Sequence, residues 1–177
     1  PVAVDNNKNS NENTFVGNIL IDGELYQFEP TKKGKELKKT LSVAESCTGG
    51  SICSRIVSNE GASTYFKGGV VCYSTESKTN ILGLDAKTIN DYSVVSKEVC
   101  ELMAISVKNL FSSDFSISTT GNAGPEKGES NVKIGKVFIS VATENNVNTY
   151  ELNFDGNRKE VINNTVVRAL ELLKDNL

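Results

Sequence analysis

From residue 40 onward, short apolar runs alternate with segments of helical periodicity, and that alternation leaves few architectures open. "TLSVA" reads as a buried strand and "GGSICSRIVSN" as the helix after it. "GGVVCYS" reads as a second strand, and "TESKTNILG" as the start of another helix. In "KEVCELMAISVKNLF", Val99, Leu102, Met103 and Leu110 recur at helical spacing, and Ser96 stands where a cap belongs. "DFSISTT" is a further strand. "KIGKVFISVAT" and "VNTYELNF" flank Glu144-Asn145-Asn146 as a hairpin. A final helix from about residue 157 carries Ile162, Val166, Ala169, Leu170 and Leu173 on one face. The expected fold class is α/β: a single-domain three-layer sandwich with a mixed β-sheet flanked by helices.

The first 40 residues follow different rules. Residues 1–14 are Asn-rich and are expected to form a disordered or extended tail. Residues 15–39 read as a hairpin-like appendage turning at Asp22-Gly23, followed by the charged stretch "KKGKELKK" as a turn or short helix. Residues 40–177 form the main domain.

Net charge is −3 with no basic block, which argues against a nucleic-acid partner. No apolar run approaches the ~20 residues of a membrane span, and no signal-peptide pattern opens the chain, so a cytoplasmic protein is expected. Cysteines at 47, 53, 72 and 100 form no C-x-x-C pair, and there is no histidine to complete a metal set. Reduced thiols are expected, with Cys53, Cys72 and Cys100 in the core, and neither metal nor cofactor is expected. The missing histidine also excludes His-based triads and zincin chemistry.

Three corners share one pattern: an apolar strand stops and small residues follow, where open α/β sheets bind ligands. At the first, Ser46-Cys47-Thr48-Gly49-Gly50, backbone amides at a helix start could hold a phosphate or an oxyanion. Equally, Ser46 could cap the helix while the glycines form the turn. At the second corner, Lys78 lies five residues after Tyr73. A buried lysine can act as a base, and a tyrosine beside it can relay a proton. Without histidine, a Ser46–Tyr73–Lys78 set is the best available activator of a serine, provided that the two corners meet. Cys47 is the rival nucleophile, reading otherwise as a packing residue or a backbone donor. The third corner, Thr120-Gly121-Asn122-Ala123-Gly124-Pro125, reads either as a loop that approaches a ligand or as a plain connection. Arg158 could meet a phosphate or lie on a helix surface.

"AESCTGG", "FKGGVVCYSTESK", "LGL", "TTGNAGP" and "IGKVFISVAT", in this order, resemble the CinA C-terminal domain family over roughly residues 40–175. That family includes the competence/damage-inducible protein CinA and nicotinamide mononucleotide deamidase (PncC). The resemblance implies amide hydrolysis: the carboxamide of nicotinamide mononucleotide becomes a carboxylate, and ammonia leaves. It implies Ser46 as nucleophile, Tyr73 and Lys78 as its activators, and Cys47, Thr48 and Gly49 as oxyanion donors. It further implies Gly50, Thr120, Gly121, Asn122, Ala123, Gly124 and Arg158 around the substrate. A small-molecule pyridine nucleotide as partner and a homo-oligomer are expected on the same ground. Asn122 stands where the family's "TGIAGP" has an apolar residue, Lys136 lies in "IGKV" where "VGTV" is usual, and "GNR" replaces "GDR". A nucleotide- or partner-binding module without catalysis, and a hydrolase of another small amide, are the competing readings.

Overall fold

The computed structural model describes residues 17–21, 24–28, 39–126 and 132–176. The expected tail lies outside them, as does nearly all of "KKGKELKK". Strands β1 (Gly17–Ile21) and β2 (Glu24–Phe28) pair antiparallel, with Ile21 opposite Glu24 across the Asp22-Gly23 step. The main sheet holds β3 (Leu41–Glu45), β4 (Phe66–Val71), β5 (Phe115–Gly121), β6 (Lys136–Ala142) and β7 (Val147–Asn153). Its order is β4-β3-β5-β6-β7. The first three strands run parallel, and β6 and β7 complete the sheet as antiparallel neighbours. This is the mixed sheet expected.

Period-two alternation divides the core into two layers. Leu41, Val43, Ile117, Ile139 and Val141 pack with Ile52 and Ile56 of α1 (Ser51–Val57) and with Ala169, Leu170 and Leu173 of α5 (Arg158–Asp175). Ala44, on the other face, joins Leu82 of α2 (Thr75–Leu82), Ile89 of α3 (Ala86–Tyr92), and Val99, Met103 and Val107 of α4 (Lys97–Phe111). The alternation "SISTT" therefore divides β5 as well: Ser116, Ser118 and Thr120 turn toward α4, and Ile117 and Thr119 toward α1. On the α4 face hydroxyls meet the helix backbone. Ser42 Oγ donates to Val107 O at 3.2 Å, Ser116 Oγ to Ala104 O at 2.6 Å, and Ser118 Oγ to Cys100 O at 2.6 Å.

Two expectations about helices change. Leu110 is exposed, and the buried face of α4 is Val99, Cys100, Met103, Ala104 and Val107. Ser96 does cap this helix, accepting from Val99 N at 3.2 Å. Helix α3 was not expected; it is seven residues long with only Ile89 buried, too little periodicity to register in a sequence.

Where β3 and β5 begin, Asp114 Oδ2 accepts from both Thr40 N (2.7 Å) and Thr40 Oγ1 (2.8 Å). Desolvation raises this carboxyl's pKa, but the Thr40 hydrogen bonds and the Lys39 ammonium outweigh it and hold it below the ordinary value. A depressed folded-state pKa means stability present above the unfolded carboxyl value and lost as pH falls through the folded one. Urea midpoints measured from pH 6 to pH 2.5 are expected to show this acid-limb loss, and Asp114→Asn is expected to shrink it.

Candidate functional site

Strand β3 ends at Glu45, β4 ends at Val71 beside it, and the parallel pairing of the two strands brings the first two corners together. Helix α2 starts from Ser74, whose hydroxyl accepts from Ser77 N at 3.1 Å. One turn of helix separates Lys78 from Leu82, so both face inward, and Lys78 is 1% exposed. Its Nζ donates to Ser46 Oγ at 3.1 Å, to Cys72 O at 2.8 Å and to Tyr73 O at 3.4 Å. Ser46 itself is 8% exposed. A long amine-bearing side chain enclosed in this way, beside a serine hydroxyl, is an uncommon arrangement for a structural lysine.

The expected relay through Tyr73 is corrected. Its ring is 60% exposed, and its hydroxyl accepts from Arg158 Nη2 at 2.8 Å. Cys72 turns into the core, so Tyr73, the next residue, turns out. The carbonyl of Tyr73 reaches the amine, and Lys78 meets Ser46 directly.

The oxyanion set also changes. Gly49 N donates to Ser46 O at 3.1 Å, closing a turn, and Gly50 N donates to Glu45 Oε2 at 2.9 Å. Among the described residues the amides of Cys47 and Thr48 have no backbone acceptor, which leaves these two as donors. Gly49 and Gly50 adopt φ of +60° and +97°, and the space around the Gly49 Cβ position is open. The left-handed backbone of the turn accounts for these glycines without a close approach of substrate.

Burial bears on Cys47 as the rival nucleophile. Desolvation pushes the Cys47 thiol up to about 12 and the Cys100 thiol up to about 11, and it raises Cys53 and Cys72 as well. A thiolate at position 47 is therefore scarce near neutral pH. All four cysteines are free. Iodoacetamide at pH 8 is expected to leave Cys47 and Cys100 unmodified in the folded protein and to label both in urea, as read by mass spectrometry.

The CinA C-terminal domain family matches residues 28–177. The chain belongs to this family. The match begins a dozen residues before the resemblance described above. A CinA-like protein of Flavobacterium psychrophilum is 49% identical over 138 residues, which is 78% of this chain and 33% of that protein. A putative competence-damage inducible protein of Thermoanaerobacter sp. is 39% identical over 154 residues, covering 87% of this chain and 37% of that one. The chain thus spans about a third of the length of these curated relatives. Among solved structures, the CinA superfamily protein of Escherichia coli superposes with a TM-score of 0.77 at 31% identity, over 79% of this chain and 81% of that one. The competence or damage-inducible protein of Enterobacter asburiae gives 0.75 at 31%, over 79% and 89%.

Within this CinA domain the third corner divides. Ala123, Gly124 and Arg158 line an open groove of about 670 Å³ together with Ser51, Ile134 and Lys159. Arg158 links the groove to the second corner, donating through Nη1 to Gly124 O at 2.7 Å and through Nη2 to Tyr73 Oη at 2.8 Å. Neither Ser46 nor Lys78 lines the groove. The remaining residues of the expected substrate loop have partners within the protein. Thr120 Oγ1 donates to Val94 O at 2.7 Å on the α4 face. Gly121 lies in β5, where a Cβ would strike Val137 Cγ1 at 2.1 Å, so its role is sheet packing. Asn122 braces its own loop: Oδ1 accepts from Gly124 N at 3.1 Å and Nδ2 donates to Val132 O at 3.2 Å. Gly50, as noted, donates to Glu45.

Two residues were missed. Glu45 is fully buried, and its carboxylate accepts from the amides of Gly50, Ile52 and Cys53. Thr119 O accepts from Ser46 N at 3.0 Å, and its hydroxyl meets that of Thr48 at 2.8 Å. Alternation in "LSVAE" and "SISTT" was the available signal: it puts Glu45 and Thr119 on the α1 face. Among the described residues no His, Cys, Asp and Glu cluster is arranged to hold a metal, and no helix is long and apolar enough to cross a membrane.

Proposed function

We propose that this domain is a serine amidohydrolase that cleaves the carboxamide of nicotinamide mononucleotide to nicotinate mononucleotide and ammonia. The observation that carries the reading is the 3.1 Å approach of Lys78 Nζ to Ser46 Oγ, with the lysine sealed from water. Burial disfavours an ammonium, and a neutral amine can accept the serine proton. As Oγ attacks the amide carbon, its proton passes to Lys78. The tetrahedral oxyanion takes hydrogen bonds from the amides of Cys47 and Thr48. The lysine then returns the proton to the departing nitrogen, and ammonia leaves an acyl-serine. Water, deprotonated by the same amine, cleaves that ester and restores Ser46. Arg158 and Lys159, at the groove, offer positive charge to the phosphate of the substrate. The amides of Lys159 and Glu160 at the start of α5 are not available to it, because the Asn157 side chain already accepts both.

The test is ammonia release from nicotinamide mononucleotide by the purified chain, alongside a panel of small amides. Release from the mononucleotide, absent in Ser46→Ala, supports the reading. Turnover of a different amide only would redirect it to another substrate, and binding without any ammonia would favour a non-catalytic module.

A further inference from the structure

The carboxylate of Glu45 sits one residue before the nucleophile and takes no part in the steps above. It is fully buried and accepts three amides: Gly50 N and Ile52 N on Oε2 at 2.9 and 3.1 Å, and Cys53 N on Oε1 at 2.8 Å. Those donors lie on the far side of the turn from Ser46. The turn is thus tied at both ends by one residue: at its start through the backbone of Glu45, and at its finish through the carboxylate. Glu45 O also accepts Cys72 N at 2.8 Å, which fixes the β4 end whose Cys72 carbonyl holds Lys78. Hydrogen bonds to a charged acceptor are stronger than neutral ones, and the carboxylate faces the positive end of α1.

We propose that Glu45 is a positioning residue for the dyad. By holding Gly50, Ile52 and Cys53, it fixes the turn so that Ser46 Oγ stays within reach of Lys78 while the Cys47 and Thr48 amides stay free. Because Gly50 is bound to Glu45, its amide cannot swing in to compete for the oxyanion. The proposal rests on the reading of Ser46 as nucleophile, and the experiment keeps the two apart.

Two variants are made, Glu45→Gln and Glu45→Asp. The first keeps the shape but sets an NH₂ group against an amide N–H; the second keeps the charge but withdraws the oxygens by one methylene. Each is checked for folding by circular dichroism and thermal melting. Two readouts follow: steady-state turnover of nicotinamide mononucleotide, and the rate at which a fluorophosphonate labels the serine. In the labelling step Oγ bonds to phosphorus, fluoride leaves and the proton passes to Lys78. Expected are folded variants with labelling and kcat each lowered about 100-fold and KM within twofold of the parent. Wild-type kcat and labelling in either folded variant would overturn the proposal. So would failure of both variants to fold, which would assign the carboxylate to the fold alone. Ser46→Ala is the control: labelling that survives there sinks the nucleophile reading and not the placement of Glu45.

Discussion

Ser46→Ala is expected to lower ammonia release by about ten-thousand-fold or more, and Lys78→Met by a similar factor. The double variant is expected to lose no more than either single one, because in the proposed mechanism the two side chains share one proton transfer. What makes the pair informative is their opposite effect on the fold. Ser46→Ala removes one acceptor from a buried amine that keeps Cys72 O and Tyr73 O. Lys78→Met replaces that amine with an apolar chain of similar length, next to Leu82 and Cys72 in the core. Burying a charge-capable group costs stability, so Lys78→Met is expected to raise the melting temperature while abolishing turnover. Calorimetry beside the ammonia assay checks both halves. A Lys78→Met protein that keeps its activity would remove the lysine from the chemistry.

Gly135→Ala is expected to destabilise the fold by about 3 kcal/mol. Gly135 has φ of +87°, and a Cβ there would meet Phe154 O at 2.1 Å. That oxygen is backbone, so no side-chain rotation relieves the clash. Gly135 also sits between two hydrogen bonds, donating to Asn122 O at 2.7 Å and accepting from Phe154 N at 2.9 Å. The loop of the third corner, the start of β6 and the end of β7 are joined at this residue. Chemical denaturation is the measurement. Turnover per folded molecule is expected to drop as well, since the same joint supports Ala123 and Gly124 at the groove.

Much of this was legible because strands and helices leave periodic traces. "TLSVA" and "DFSISTT" predicted β3 and β5, and the alternation that divides the core can be read from them residue by residue. Ser46 and Lys78 were named because both sit where strands stop, and the missing histidine left lysine as the base. Three things stayed hidden for one reason: they depend on where a side chain points after a strand ends. Tyr73 turns out while Cys72 turns in; Thr120 faces α4 while Thr119 faces α1; Asn122 folds back on its own loop. Glu45 was passed over because a glutamate at a strand end usually reaches solvent, whereas here the amides of Gly50, Ile52 and Cys53 make its burial tolerable. The amides of the turn could not be told apart in sequence, since a donor and a bystander differ only by which carbonyl lies opposite.

The serine hydroxyls of β3 and β5 that grip the carbonyls of α4 have a mechanical consequence. Each bond matches a particular rung of that helix: Val107, Ala104, then Cys100. Sliding α4 along its axis by even one residue would take all three hydroxyls off their helix carbonyls at once, so this layer acts as a keyed bed and not as a bearing. Under the proposed function, breathing that admits a substrate is then left to the opposite layer, where Arg158 clasps the groove loop to the end of β4 through two side-chain hydrogen bonds that can open without disturbing the sheet.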